Sequence, residues 1–178
     1  MNGEIKSLIN SGEEITHFAF GQSPFPPPEV LIEALREHSQ KYSYLPIKGT
    51  LELRKGISRM HSKYDQLNLD PENIIVGPGT KELLFLILNA FNGVILLASP
   101  SWTTYEQQCN LAGKIPLVLK TDKAKGWKLT PQTITEGLKS LPPSFVDENK
   151  LLILTNPGNP TGTCYTSQEL EELRNITL

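Results

Sequence analysis

Three short segments of the sequence carry groups that could bind a ligand. Residues 77–80 are Gly-Pro-Gly-Thr, residues 99–102 are Ser-Pro-Ser-Trp, and residues 156–162 are Asn-Pro-Gly-Asn-Pro-Thr-Gly. The first segment would present backbone N–H groups at the start of a helix, which is a site for a phosphate or a carboxylate. The second offers the aromatic plane of Trp102, and the third offers two asparagine amides as donors and acceptors.

These segments should lie together because each follows an apolar run and leads towards a helix. The apolar runs predict strands at residues 74–76, 94–98, 115–119 and 151–154. They alternate with helical segments, which is typical of parallel βαβ units and predicts an α/β fold. The carboxyl ends of parallel strands meet at one edge of a sheet, where such folds bind ligands. Pro116 favours an edge position for the third strand.

Helical spacing and capping signals predict the remaining elements. A weak helix and an extended piece at residues 15–20 come first, and a proline-rich strap follows at residues 23–28. The apolar residues 83–88 predict a helix that is covered on most sides. Thr130 and Thr166 stand where helix N-caps are expected.

The composition excludes several classes of protein. A chain of 178 residues, 38% apolar and 20% charged, can bury a core and is typical of a soluble globular protein. Its net charge of -2, without a basic run, argues against nucleic acid. It lacks a bilayer-spanning apolar run and a secretory signal, so we expect a cytoplasmic protein with no membrane partner. Cys109 and Cys164 lack metal-ligand spacing, so we expect reduced thiols and no metal site.

Each ligand-binding segment also has a simpler interpretation. Residues 156–162 could be an ordinary Asn-Pro-Gly turn. Residues 77–80 would then form only a turn and a helix cap, and Trp102 would be a core residue. The spacing Gly-x-x-x-x-Gly-Lys-Ser/Thr is absent, which excludes a Walker P-loop.

Four motifs occur in a fixed order, and together they resemble a known family. They are Tyr44-x-x-x-x-Gly49-x-x-x-Leu53-Arg54, Gly79-Thr80-Lys81, Pro100-Ser101-Trp102-x-x-Tyr105 and the segment 156–162. In this order they resemble the class I/II aminotransferases, fold-type I enzymes that use pyridoxal 5′-phosphate (PLP). The resemblance runs from about Gly21 to the end of the chain, and Asn-Pro-Thr-Gly is its most specific motif.

The resemblance implies a partial fold-type I PLP-dependent transferase, with a mainly parallel sheet and helices on both faces. Residues 1–43 would form an N-terminal arm and part of the small domain. Residues 44–178 would form the first, incomplete part of the large PLP-binding domain.

Cofactor-binding roles follow from the same resemblance. Gly79, Thr80 and Lys81 would bind the cofactor phosphate, and Trp102 would stack on the pyridine ring. Asn159 would donate its amide to the phenolate oxygen of the ring and help to hold the substrate carboxylate. Lys81 lies at a phosphate-binding helix start, where it is poorly placed to be the Schiff-base lysine.

Two further residues have implied roles at the edges of the site. Tyr44 would reach across a homodimer interface to the cofactor phosphate of the partner subunit. Gly21 would contact the substrate carboxylate through its backbone. Tyr105 would pack near Trp102, either as a site residue or as part of the core.

In this family the Schiff-base lysine follows the Asn-Pro-Thr-Gly motif, and so do the aspartate at the pyridinium nitrogen and the arginine that binds the α-carboxylate. The chain ends sixteen residues past Gly162, so we expect it to be truncated before the catalytic lysine and to contain no catalytic residue. The whole protein would transfer an amino group between an amino acid and a 2-oxo acid, and this chain alone would be inactive. Two alternatives stay open: a PLP-dependent lyase on the same fold, and a non-catalytic form that only binds a phosphate ligand or a partner subunit.

Overall fold

The computed structural model describes residues 2–16, 21 and 23–177. The chain divides into two compact units, Met1–Leu45 and Pro46–Leu178. The first unit contains helices α1 (Asn2–Asn10) and α2 (Glu29–His38). Most of the extended piece predicted at residues 15–20 lies outside the described residues, and the assignment of residues 1–43 to an arm and a small domain stays a prediction.

The second unit contains the sheet and the segments that could bind a ligand. In chain order its elements are α3 (Leu51–Tyr64), α4 (Thr80–Ala90), β1 (Val94–Ser99), α5 (Thr104–Leu111), β2 (Pro116–Lys120), α6 (Pro131–Leu138), β3 (Lys150–Ile153) and α7 (Ser167–Thr177). No helix in the described part of the chain has both the length and the apolar character needed to cross a bilayer.

The three strands form a parallel sheet in the order β2-β1-β3. Leu96 of the central strand pairs with Leu117 of β2 and with Leu152 of β3. This arrangement confirms the predicted α/β fold, and it places Pro116 on an edge strand, where the missing N–H of proline is tolerated.

Side chains of the central strand alternate between two hydrophobic layers, as the period of a strand requires. One layer lies between the sheet and helices α6 and α7, and the other lies between the sheet and helices α4 and α5. The buried residues are Val94, Leu96, Leu119, Leu129, Ile134 and Leu173 in the first layer, and Leu88, Ile95, Leu97 and Cys109 in the second. Helices therefore cover both faces of the sheet, as predicted.

The prediction of a strand at residues 74–76 is wrong. These residues form no strand, and the side chain of Ile75 is 61% exposed. Val76 donates its N–H to the carbonyl of Lys48 at 3.0 Å, which is a loop contact. An apolar run becomes a strand only when another strand pairs with it, and none of the described residues does so here.

A buried arginine, rather than strand pairing, fixes the chain next to residues 74–76. Arg54 of α3 is 7% exposed, and its guanidinium donates to the carbonyls of Gly49 at 3.2 Å and Pro71 at 2.7 Å. It also contacts the carboxylate of Glu72 at 3.0 Å. The hydrogen bond and the charge of Arg54 lower the pKa of Glu72. The chain leading to α4 is thereby fixed to α3.

The prediction that α4 is covered on most sides is also wrong. Leu86 and Ile87 are 52% and 53% exposed, whereas Leu88 is fully buried. Only one side of the helix packs against α5 and the sheet, so a continuous apolar run does not become a fully covered helix.

The start of α7 is a reciprocal capping box that also binds a lysine. The Glu169 carboxylate accepts from the N–H of Thr166 at 2.7 Å, and the Thr166 hydroxyl accepts from the N–H of Glu169 at 3.2 Å. Lys128 donates to both carboxylate oxygens, at 2.9 and 2.8 Å. The bonds from Lys128 and Thr166 lower the pKa of Glu169 to about 2 from an ordinary value of 4.5.

The Glu169 pKa predicts a component of stability that depends on pH. Because the folded pKa is lowered, the unfolded state binds more protons between about pH 2 and 4.5, and the stabilising contribution is lost as pH falls through this range. Glu169→Gln keeps an acceptor for the cap but removes the charge. Urea unfolding of both proteins should show a stability difference that is constant near neutral pH and shrinks below pH 4.5.

Lys128→Met provides the second arm of this experiment, because Lys128 is the largest cause of the lowered Glu169 pKa. Lys128→Met should remove part of the pH-dependent stability that Glu169 contributes to the native chain. A stability difference between the native chain and Glu169→Gln that does not change between pH 2 and 7 would contradict the assignment.

Candidate functional site

The N-terminus of α4 is open to a ligand. Gly79 precedes the helix with a φ of 101°, and no side chain caps the first turn. Among the described residues, none accepts from the N–H groups of Thr80, Lys81 and Glu82. A Cβ placed on Gly79 would meet no atom within 4 Å. Free N–H groups at the positive end of a helix dipole form a binding site for an anion.

The segment after β1 contacts this helix start through an aromatic ring. The ammonium group of Lys81 lies 5.2 Å from the centre of the Trp102 ring, within the range of a cation–π interaction. Trp102 in turn meets Tyr105 edge to face, with ring centres 5.4 Å apart. Lys81, which directly follows the first segment, is therefore in contact with Trp102 of the second segment.

A buried side chain links α4 directly to α5. The Nε2 of Gln108, on α5, donates to the carbonyl oxygen of Lys81 at 2.7 Å. Gln108 is one of the two buried polar or charged residues among those described, together with Arg54. Sequence reasoning missed it, because a glutamine at helical spacing gives no signal that it will be buried.

The two asparagines of the loop after β3 differ in the hydrogen bonding of their side chains. Asn156 accepts from the N–H of Tyr165 at 3.0 Å through its side-chain oxygen. The loop is closed by two backbone bonds, from Gly158 to Thr163 at 2.8 Å and from Gly162 to Gly158 at 2.7 Å. No described residue bonds the side chain of Asn159, which is exposed and can donate to a ligand.

A hydrogen bond joins this loop to the aromatic segment. The hydroxyl groups of Tyr105 and Thr155 lie 2.6 Å apart. Beside them is a small cleft of about 30 Å³ at the carboxyl edge of the sheet, which is room for about one water molecule. Its lining includes Ser101, Tyr105, Trp127, Thr155, Asn159 and Tyr165.

The structure brings most of the predicted site residues to one edge of the sheet. Lys81 contacts Trp102 through a cation–π interaction. Asn159 lines the same cleft as Tyr105, and Tyr105 follows Trp102 by three residues in the chain. Gly21 and Tyr44 lie in the first unit, where both are exposed. Their predicted contacts with a substrate and with a partner subunit stay predictions.

Trp127 and Tyr165 belong to the edge of the cleft and were not predicted as site residues. Trp127 follows β2 in the chain, and Tyr165 follows the loop after β3. The rule that parallel strands end at one edge could have found Trp127, since β2 ends there as well. Tyr165 accepts from the N–H of Leu129 at 2.7 Å, and burial raises the pKa of its hydroxyl.

Known proteins similar to this chain are aminotransferases. The chain is 31% identical over 180 residues to a probable aspartate/prephenate aminotransferase of Aquifex aeolicus, a match that covers 97% of this chain and 43% of that protein. It is 30% identical over 184 residues to an aspartate aminotransferase of Bacillus sp. strain YM-2, covering 100% of this chain and 45% of that protein.

A solved structure has the same fold. The aspartate aminotransferase from Thermus thermophilus with maleate gives a TM-score of 0.83 at 27% identity, over 98% of this chain and 45% of that chain. The chain thus spans less than half the length of each of these three relatives. The model of the family described as aminotransferase class I and II matches residues 13–178, which is nearly all of the sequence. The chain belongs to the class I and II aminotransferase family.

Proposed function

We propose that this chain supplies the phosphate and ring contacts of a PLP-dependent aminotransferase that transfers an amino group between an amino acid and a 2-oxo acid. The observation that carries the proposal is the open N-terminus of α4, whose Lys81 lies against Trp102. The helix start can bind an anion, and the indole ring of Trp102 can stack on an aromatic ring. Together they match a ligand that carries a phosphate on an aromatic ring. The activity belongs to the whole protein, since this chain spans under half of its relatives.

The donor groups at α4 fit the cofactor phosphate. Three N–H groups at the start of the helix have no acceptor among the described residues, and Lys81 of the same turn carries a positive charge. Thr80 adds a hydroxyl at the same turn. A phosphate carries up to two negative charges and three acceptor oxygens, so these donors match it in both charge and number.

The remaining groups would orient the ring of the cofactor. Trp102 offers a ring face whose tilt is fixed by Tyr105 at a right angle. Asn159 has a free amide that can donate to the phenolate oxygen of the ring and stabilise its charge. When bound, PLP supplies the electron sink for the chemistry at the α-carbon of the amino acid. Gly21 and Asn159 would contact the substrate carboxylate.

The relatives indicate which substrates to test first. The proteins from Aquifex aeolicus and Bacillus sp. are both described as aspartate aminotransferases, the first also as a prephenate aminotransferase. Aspartate is therefore the first amino donor to test with the whole protein. No residue described above selects between amino donors.

Homodimer formation is part of the proposal. The side chains of Tyr42, Tyr44 and Leu45 are at least 70% exposed in the first unit. Adjacent apolar and aromatic side chains in water favour a protein contact. We expect sedimentation equilibrium to give a dimer mass that shifts towards monomer in Tyr44→Ala. A native chain that stays monomeric at micromolar concentration would contradict this part of the proposal.

The cofactor site can be tested with pyridoxamine 5′-phosphate, which has the ring and the phosphate but no aldehyde. The chain has two tryptophans, Trp102 and Trp127. Fluorescence titration of Trp127→Phe, which keeps Trp102, should show strong quenching, and Trp102→Phe should bind the compound more weakly. Pyridoxamine without the phosphate should bind at least about tenfold more weakly, because it lacks the charged hydrogen bonds.

Two outcomes of that titration would contradict the proposal. One is unchanged affinity in Trp102→Phe together with no quenching in Trp127→Phe, which would place the ligand away from Trp102. The other is equal affinity for pyridoxamine with and without its phosphate, which would remove the role of α4.

The two asparagines of the loop after β3 provide a matched pair of variants. Asn159→Ala should weaken the binding of pyridoxamine 5′-phosphate without changing the melting temperature, because no described residue bonds its side chain. Asn156→Ala should lower the stability by about 1 kcal/mol, because it removes the acceptor of the Tyr165 N–H. Calorimetry and fluorescence titration measure the two effects. A loss of stability in Asn159→Ala would show that its role is structural.

A further inference from the structure

Gln108 occupies a position where packing would favour an apolar residue. It is 7% exposed and lies on the side of α5 that faces α4, beside the fully buried Cys109. Burying an amide is costly unless each of its polar atoms has a hydrogen-bond partner. A polar side chain at this place therefore needs a reason other than packing.

The amide of Gln108 is only half paired. Its Nε2 donates to the carbonyl of Lys81 at 2.7 Å. Its Oε1 is buried and has no partner among the described residues. The orientation of the amide is fixed, because the carbonyl of Lys81 can only accept and must face the nitrogen. The side chain thus makes one bond to the first turn of α4 and leaves one acceptor unpaired.

The peptide that Gln108 bonds is part of the open helix start. The carbonyl of Lys81 and the N–H of Glu82 belong to one peptide group, and this N–H is one of the three free donors of α4. A donor on the carbonyl polarises the peptide and makes its N–H a stronger donor. It also fixes the direction in which that N–H points.

We infer that Gln108 is a positioning residue, which orients and polarises the Lys81–Glu82 peptide so that α4 binds the phosphate of the ligand beside Trp102. The inference rests on the proposed function, since it needs an anion at α4. Gln108 acts through the peptide and touches no ligand. It also ties α4 to α5, the helix that follows Trp102, so that phosphate and ring contacts keep a fixed separation.

Gln108→Met tests this role, because methionine has a similar length and fills the buried space without polar atoms. We expect its affinity for pyridoxamine 5′-phosphate to fall about threefold, because the N–H of Glu82 becomes a weaker and less firmly oriented donor. Its melting temperature should stay equal or rise, because the unpaired Oε1 is removed. Affinity for pyridoxamine without phosphate should not change. Gln107→Met is the matched control, since it makes the same change at an exposed neighbouring position.

Gln108→Glu is a second variant that keeps the shape, and its carboxyl group can donate to the carbonyl of Lys81 only when it is protonated. Its affinity for pyridoxamine 5′-phosphate, relative to that of the native chain, should therefore fall as the pH rises and the carboxyl group ionises. Equal affinity of the native chain and Gln108→Met would overturn the inference and leave the proposed function intact. A fall in both affinity and melting temperature, or failure of Gln108→Met to fold, would show a structural role and also overturn it. A native chain that does not bind the phosphate compound would reject the proposed function and the inference together.

Discussion

The candidate site depends on the position of β1, which is the central strand of the sheet. Its neighbours pair with it on both sides, and both of its faces are buried. At its carboxyl end, the carbonyl of Ser99 accepts from both the N–H and the hydroxyl of Thr121, at 3.0 and 2.8 Å. The ends of β1 and β2 are thereby tied together. The Trp102 segment leaves the sheet from this fixed point, and the loop after β3 leaves from the strand on the other side.

The parts of the fold that were predicted correctly are those in which local pattern and tertiary environment agree. The apolar runs near residues 94–98, 115–119 and 151–154 became strands because each finds a parallel partner and a covering helix. Thr130 and Thr166 cap helices because their hydroxyls accept N–H groups within a few residues along the chain. Residues 74–76 have the same apolar character but find no partner strand among the residues that the structure describes, and no local pattern contains that information.

The site residues, too, could be predicted where a local sequence pattern identifies them and could not be predicted where their role depends on tertiary packing. Gly79, Trp102 and Asn159 could be proposed because their residue types and spacing carry a recognisable motif. Gln108 could not, because its role depends on which helix packs against α5. Arg54 was visible as a motif residue, but its bonds to residues 49, 71 and 72 arise only when α3 and the loops around it are folded together.

The loop after β3 and the start of α4 differ in how many of their polar groups are hydrogen-bonded within the protein. The loop after β3 is held by two backbone bonds and by the bond that the Asn156 side chain accepts from Tyr165, and none of these needs a ligand. The start of α4 has no side-chain cap, and beside it Gln108 is half paired. The exposed N–H groups of this turn are hydrated in the free protein, and an anion would replace that water with charge-assisted hydrogen bonds. We therefore expect the start of α4 to contribute affinity for an anion and the loop after β3 to contribute orientation of the ligand through Asn159.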